Sequence, residues 1–281
     1  LIGRSAVPYG MSLSEMLEAD STFLWYMLAV SLIVSVLGWI ATRRISDAIA
    51  ARLLLEEQEK TRIKRQLTNN INHELKTPLS AMQICIETLL EHPELDSGRQ
   101  REILQRADAN NRRLKSLMAD VATLTRLDEG RETVAKEPLV LNEVIREVAA
   151  EFPPDMYLPI IVNMPVEMKI EGNHSLLKSV FSNLIVNANA YSQGSCITIP
   201  QLSESFLEFA DNGVGIPEEH LPHIFERFYR IDKGRSRDKG GTGLGLAIVK
   251  HALAFHGFAV TAHNRPVSGL SFLIDLQPDA Q

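Results

Sequence analysis

From Phe23 to Ala41 the chain reads FLWYMLAVSLIVSVLGWIA, without a single charge. Such a run is about long enough to cross a bilayer as a helix. Trp25, Tyr26 and Trp39 lie near its ends, where amphipathic aromatics favour the headgroup zone. Glu15, Glu18 and Asp20 precede it and Arg43 and Arg44 follow, which places the C-terminal side in the cytoplasm. A buried core helix rarely runs this far without a polar face, and a secretory signal has different flanks. Residues 22–42 are therefore expected to span a membrane. Residues 1–21, short and mixed, are expected to be the stub of an extracytoplasmic sensor region; the chain opens on Leu1 and is expected to be part of something longer.

Past the span the pattern changes to a dense mixture of charged and apolar residues with no glycine or proline until Pro78. Ile63, Leu67, Ile71 and Leu75 recur every four residues and draw one apolar stripe along a helix. At about 100° per residue, His73 lies roughly 160–200° from its stripe neighbours and, with the adjoining Glu74, falls on the wet side. Pro78 follows five residues later and is expected to bend the helix there. Pro93, Asp96, Ser97 and Gly98 then supply a turn and a cap. The next helix, about Arg99 to Asp128, carries Leu104, Ala107, Asn111, Leu114, Met118 and Val121 at alternating spacings of three and four, a heptad seam. A hairpin of two such helices has too little apolar surface to close on itself. Two copies forming a four-helix bundle would bury both seams, so residues 43–130 predict a homodimer.

After Glu129 and Gly130 short strand-like runs (MKIEG, SCITIP, FLEFAD, AVTAHN, SFLIDL) alternate with helical ones (LNEVIREVAAEF, HSLLKSVFSNLIVNANAYS, GLGLAIVKHALAFH). That alternation predicts an α/β sandwich over residues 134–279. Composition fits a globular body with one apolar span: 281 residues, 45% hydrophobic, 23% charged, net charge −6. The mild acidity argues against a nucleic-acid partner, which calls for a concentrated basic face. Cys85 and Cys196 sit far apart in apolar surroundings and read as buried free thiols.

Three motifs in the second domain suggest chemistry. DNGVGI begins at Asp211 directly after a strand-like run, and an aspartate there can accept from an exocyclic amine. KGGTGLGL places Gly240, Gly241, Gly243 and Gly245 at the mouth of a helix, where backbone N–H groups and the helix dipole attract phosphate. The preceding RIDKGRSRDKG suits a flap over a phosphate chain. In NLIVNANAYS, Asn183 and Asn187 are four apart and face the same way, and their carbonyl oxygens suit Mg²⁺. Each motif alone also has a structural explanation, as a turn, a cap or a loop.

Taken in order, NHELKTPLS, NLIVNANAYS, DNGVGI, IFERFYR and GTGLGL resemble the five motif boxes of the sensor histidine kinases of bacterial two-component systems. The resemblance runs from about residue 45 to 278. It implies a multidomain fold: a transmembrane helix, an antiparallel helical hairpin that dimerises into a four-helix bundle, and an α/β sandwich of the GHKL ATPase type. It implies ATP and Mg²⁺ as cofactors, autophosphorylation of His73 and transfer to an aspartate of a response-regulator receiver domain, in the bacterial inner membrane with the kinase domains cytoplasmic. Glu74 would orient or deprotonate the imidazole. Thr77 would help position water for dephosphorylating the regulator. Asp211 would hold adenine and Asn187 the metal, with Asn183 beside it. Gly213, Gly215, Gly241, Gly243 and Gly245 would line the pocket, and Tyr191, Thr242 and Leu244 complete the nucleotide-contacting set. Phe225 and Phe228 would anchor the lid, and Arg230 would reach the phosphates. His220 and His223 have no role in the family and read as solvated surface residues. The chain departs from the family at Ala190, where a lysine usually touches phosphate, and at Asn173, where aspartate is frequent. Either Arg230 or a lid residue such as Lys239 compensates for the missing cation, or nucleotide binding is weak. Two rival readings remain open at this point: a degenerate kinase acting as receptor or scaffold, and a chaperone-like ATPase, which the HELKTP box opposes.

Overall fold

The computed structural model describes residues 13–129, 135–155, 157–231 and 241–277. Gly240 and Lys239 lie outside them, as do residues 1–12 of the expected sensor stub. The chain divides into two compact units, the second beginning at Leu67. Helix α1 covers Leu13–Glu91. In the first unit every described side chain from Trp25 to Leu55 is exposed. By length and composition the segment beginning at Trp25 suffices to cross a membrane.

In the second unit α1 continues through a buried Pro78 to its end at Glu91. Thr77 donates its hydroxyl to the His73 carbonyl one turn back, at 3.4 Å. Helix α2 (Ser97–Glu129) begins two residues before the expected Arg99 because Asp96 caps it: its Oδ1 accepts the N–H groups of Gly98 and Arg99 at 2.8 and 3.0 Å. The heptad seam is partly covered on this single chain: Ala107, Asn111, Leu114 and Val121 are half-buried, while Leu104 is 56% and Met118 61% exposed. Leu117 and Leu124, which lie off that seam, are both 2% exposed. The hairpin thus presents two apolar stripes where the sequence pattern singled out one.

The α/β domain comprises β1 (Glu137–Val140), α3 (Leu141–Ala150), β2 (Ile160–Asn163), β3 (Lys169–Gly172), α4 (His174–Tyr191), β4 (Ile197–Pro200), β5 (Phe206–Asp211), a 3₁₀ turn (Glu218–His220), α5 (Gly245–His256), β6 (Ala259–Asn264) and β7 (Leu270–Asp275). The main sheet has the order β2-β4-β5-β7-β6, with β2 and β4 parallel and the remaining pairs antiparallel. Strands β1 and β3 form a separate antiparallel pair. β1 and β2 are the two strands the pattern did not single out. Each has four residues, as do β3 and β4, so length alone does not separate the strands the pattern found from those it missed.

Alternation in the long strands points Leu207 and Phe209 of β5 and Phe272 and Ile274 of β7 into a core shared with α3, α4 and α5. Phe209 and Phe272 meet edge to face at 6.3 Å, and Phe225 approaches Phe272 at 6.1 Å. Phe225, expected to anchor the lid, thus packs against the core of the domain. Asn173 caps α4 by accepting the Leu176 N–H at 3.0 Å, a structural role. His256 ends α5 as a buried neutral ring: Nε2 accepts the Asn173 N–H at 2.9 Å and Nδ1 donates to the Ala252 carbonyl at 2.6 Å. Cys85 and Cys196 are free but only half-buried, a correction to the buried thiols expected.

Candidate functional site

Against the core, α4, the end of β5 and the start of α5 enclose a cavity of about 500 Å³. Asn183, Asn187 and Tyr191 reach it from one face of α4, as their spacing requires. Asn183 donates its amide nitrogen to the Ser179 carbonyl at 2.8 Å, which leaves Oδ1 as the atom turned towards Gly245. Asp211, 4% exposed, ends β5 in the cavity wall, and its Oδ1 accepts the N–H groups of Gly213 and Leu270 at 2.8 and 3.4 Å. Gly215 lines the cavity after it. From the opposite side come Tyr229, Arg230, Gly241, Thr242, Gly243 and Gly245. Gly243 has φ +73°, and a Cβ there would press on the Phe228 backbone at 3.0 Å and on Arg230 Nε at 3.2 Å. Phe228, itself at φ +63°, donates its N–H to the Gly243 carbonyl at 2.8 Å. The two loops are thus clasped backbone to backbone, which only glycine at position 243 permits.

Two residues of the expected pocket are placed elsewhere. Gly213 stands behind the wall, where a side chain would collide with the Ser192 carbonyl. Its lack of Cβ serves packing. Leu244 is fully buried and turns away from the cavity into an apolar cluster with Ile248, Leu117 and Leu124, flanked by Leu75, Val121 and Phe228. Neighbouring residues at a helix start diverge by about 100°, so Gly243 and Gly245 can face the cavity while Leu244 does not.

That cluster docks the α/β domain onto α2, and polar contacts surround it. Arg227 grips Asp128 through two hydrogen bonds of 2.9 and 2.7 Å. Thr242 donates its hydroxyl to Asp120 Oδ2 at 2.8 Å. Burial pushes the Asp120 carboxyl up, against the opposing effect of that hydrogen bond. His251, which accepts from Arg227 at 3.1 Å, is held low by burial and then by the neighbouring guanidinium.

His73 is 66% exposed on its side chain, and its Nδ1 lies 3.8 Å from Glu74 Oε1. Glu74, by contrast, is only 15% exposed, which corrects its expected place on the wet face. One step further round the helix it meets α2, and its Oε2 receives Arg113 at 3.2 Å and Arg230 at 3.0 Å. Arg230 also donates to the Gly241 carbonyl at 2.6 Å. Arg113 belongs to none of the motifs. The signal was present: Arg113, Leu117, Asp120 and Leu124 are spaced four, three and four apart, a second stripe beside the seam. His220 is likewise no solvated residue, since its Nδ1 meets the Tyr229 hydroxyl at 2.7 Å. His223 pairs with Glu226 on the surface.

A protein with an exposed histidine on a helical hairpin and a nucleotide-sized cavity in an α/β sandwich matches a two-domain class. Residues 63–130 match the His Kinase A (phospho-acceptor) domain. Residues 172–280 match the histidine kinase-, DNA gyrase B- and HSP90-like ATPase. The chain belongs to the sensor histidine kinases of two-component systems. Among curated relatives it is 32% identical over 223 residues to the sensor-like histidine kinase SenX3 of Mycolicibacterium smegmatis, covering 76% of this chain and 57% of that one. It is 31% identical over 224 residues to the phosphate regulon sensor protein PhoR of Pseudomonas aeruginosa, covering 77% of this chain and 50% of that one. The chain thus spans about half the length of the curated relatives it matches. The histidine kinase AdeS of Acinetobacter baumannii shares the fold, with a TM-score of 0.57, 20% identity, and coverage of 72% of this chain and 96% of that one.

Proposed function

We propose that the chain is a membrane-anchored, homodimeric kinase that phosphorylates its own His73 from ATP and passes the phosphoryl group to an aspartate of a response-regulator receiver domain. The observation that carries this reading is the exposed His73 beside a carboxylate, in one compact unit with the nucleotide-sized cavity. Nδ1 faces Glu74, so Nε2 is left as the attacking atom. The N–P bond forms as the bond from the γ-phosphorus to the bridging oxygen breaks, ADP leaves with that electron pair, and Glu74 accepts the ring proton. Asp211, fixed by two backbone N–H groups, receives the adenine amine. Asn187, with Asn183 beside it, offers neutral amide oxygens, which suits an ion that takes few protein ligands and shares phosphate oxygens. Bound Mg²⁺ would neutralise phosphate charge during transfer. Thr77, one turn from His73, is assigned the reverse service of positioning water to dephosphorylate the regulator. The apolar segment beginning at Trp25, with Arg43 and Arg44 after it, supports the membrane anchor and a cytoplasmic kinase.

The test is incubation of the full chain with γ-labelled ATP. The wild type gains acid-labile, base-stable phosphate. His73→Gln gains none and still binds ATP, because the cavity contains no part of His73. Acid-labile label on the variant would assign the phosphoryl group to another residue. A wild type that binds ATP and takes no label would favour the receptor reading, which the uncharged Ala190 recommends.

A further inference from the structure

The nucleotide cavity is not built by the α/β domain alone. Ser116 and Asp120 of α2 form part of its wall. Among the described lining residues three carry charge: Asp120, Asp211 and Arg230. Asp211 belongs to the end of β5, tied to the backbone of Gly213 and Leu270. Asp120 belongs to the opposite region. Its Oδ2 accepts from Thr242, which stands between Gly241 and Gly243 at the mouth of α5, and Thr242 Oγ1 in turn accepts the Leu244 N–H at 3.2 Å. This glycine-rich helix mouth, with Arg230 beside it, is where a phosphate chain would sit in the nucleotide reading. Arg230 is the one cation among those lining residues, and its guanidinium is already shared between Glu74 and the Gly241 carbonyl. The docked hairpin therefore brings an acid to the phosphate end of the site and also engages the base that would balance it.

We infer that Asp120 is a specificity-determining residue of the nucleotide site, supplied by the hairpin, which penalises phosphate charge when the two domains are docked. The inference rests on the adenine-nucleotide reading of the cavity. A carboxylate near the phosphates opposes each added negative charge, and the low-dielectric wall limits screening. Burial already disfavours the charged form of Asp120, and a triphosphate acts in the same direction. By reciprocity, whatever the docked hairpin takes from phosphate affinity, a bound triphosphate takes from docking. ATP thus loosens the Asp120–Thr242 contact more than ADP, and adenosine leaves it unchanged.

The experiment compares ATP, ADP and adenosine binding to the purified full chain, wild type and Asp120→Asn, by calorimetry. Asparagine keeps the shape and can still accept from Thr242, so the change isolates charge. ATP is expected to bind the variant about tenfold tighter, ADP with a smaller gain and adenosine with none. Asp120→Ser, also uncharged, gives the same order and guards against a fault peculiar to one variant. Equal gains for all three ligands, no gain, or weaker ATP binding would overturn the inference. Wild type and variants that bind none of the three would overturn the nucleotide reading and this inference with it.

Discussion

The hairpin and the α/β domain bury their apolar residues in different ways. The α/β domain largely closes on itself: Phe181, Phe209 and Phe272 are at most 2% exposed, and the buried residues of their cluster all belong to that domain, with Leu127 of α2 packed at its margin. In the hairpin, the strongly buried hydrophobics Leu117 and Leu124 are covered by Leu244 and Ile248 of the other domain. Its seam residues Leu104 and Met118 stay open. A body with its own core is rigid without partners. A hairpin whose buried stripe is covered by a neighbouring domain can exchange that cover for another, which a body with its own core cannot do.

The comparison can be broken most severely at the core. Phe209→Ala should cost the α/β domain about 3–5 kcal/mol in denaturant unfolding, whereas Met118→Ala should leave that transition within about 0.5 kcal/mol. Similar losses from both would mean that the two regions fold as one cooperative block. Next in size is Leu124→Ala, which removes a docking residue at a cost of about 2–3 kcal/mol to the interface. Hydrogen exchange at the start of α5 and along α2 should quicken while the melting of the α/β core is unchanged; a lowered core melting point would place Leu124 in the wrong class. A smaller effect is expected at His256, on the scale of one hydrogen bond, about 1 kcal/mol. Burial holds its ring below the ordinary 6.5. The unfolded chain therefore takes up a proton as the pH falls through about 6.5 while the folded ring resists. Stability from this group is complete above that value and declines below it. The wild type should lose more stability than His256→Gln between pH 7.5 and 5.5, and equal losses would assign the acid sensitivity elsewhere. Smallest is Arg227→Ala, whose pair with Asp128 is partly exposed and worth at most about 1 kcal/mol. It should quicken exchange at the interface only slightly, and an effect as large as that of Leu124→Ala would show that charge, rather than apolar burial, holds the domains.

Much of this was legible in the pattern of residues. The long helix, the turn at Asp96, five strands and three helices of the sandwich follow from periodicity and capping, because those signals act over a few residues. The glycines at 241, 243 and 245 could be placed at a helix mouth for the same reason. Glu74 was misjudged, since helical geometry gives its direction and says nothing about a second helix carrying Arg113 on that side. Gly213 and Leu244 were assigned to the pocket because their neighbours line it, yet one supports the wall and the other docks the hairpin.

The sequence by itself determined what each element is and which side chains each can present, since helix and strand periods are properties of the local backbone. Only the tertiary structure decided which stripe of α2 meets α5, that Arg230 lies on Glu74, and that Asp120 enters the cavity wall. Arg230 and Glu74 are separated by 156 positions along the chain, and Thr242 and Asp120 by 122. Their meeting depends on the packing of Leu117 and Leu124 against Leu244 and Ile248, which no local spacing encodes.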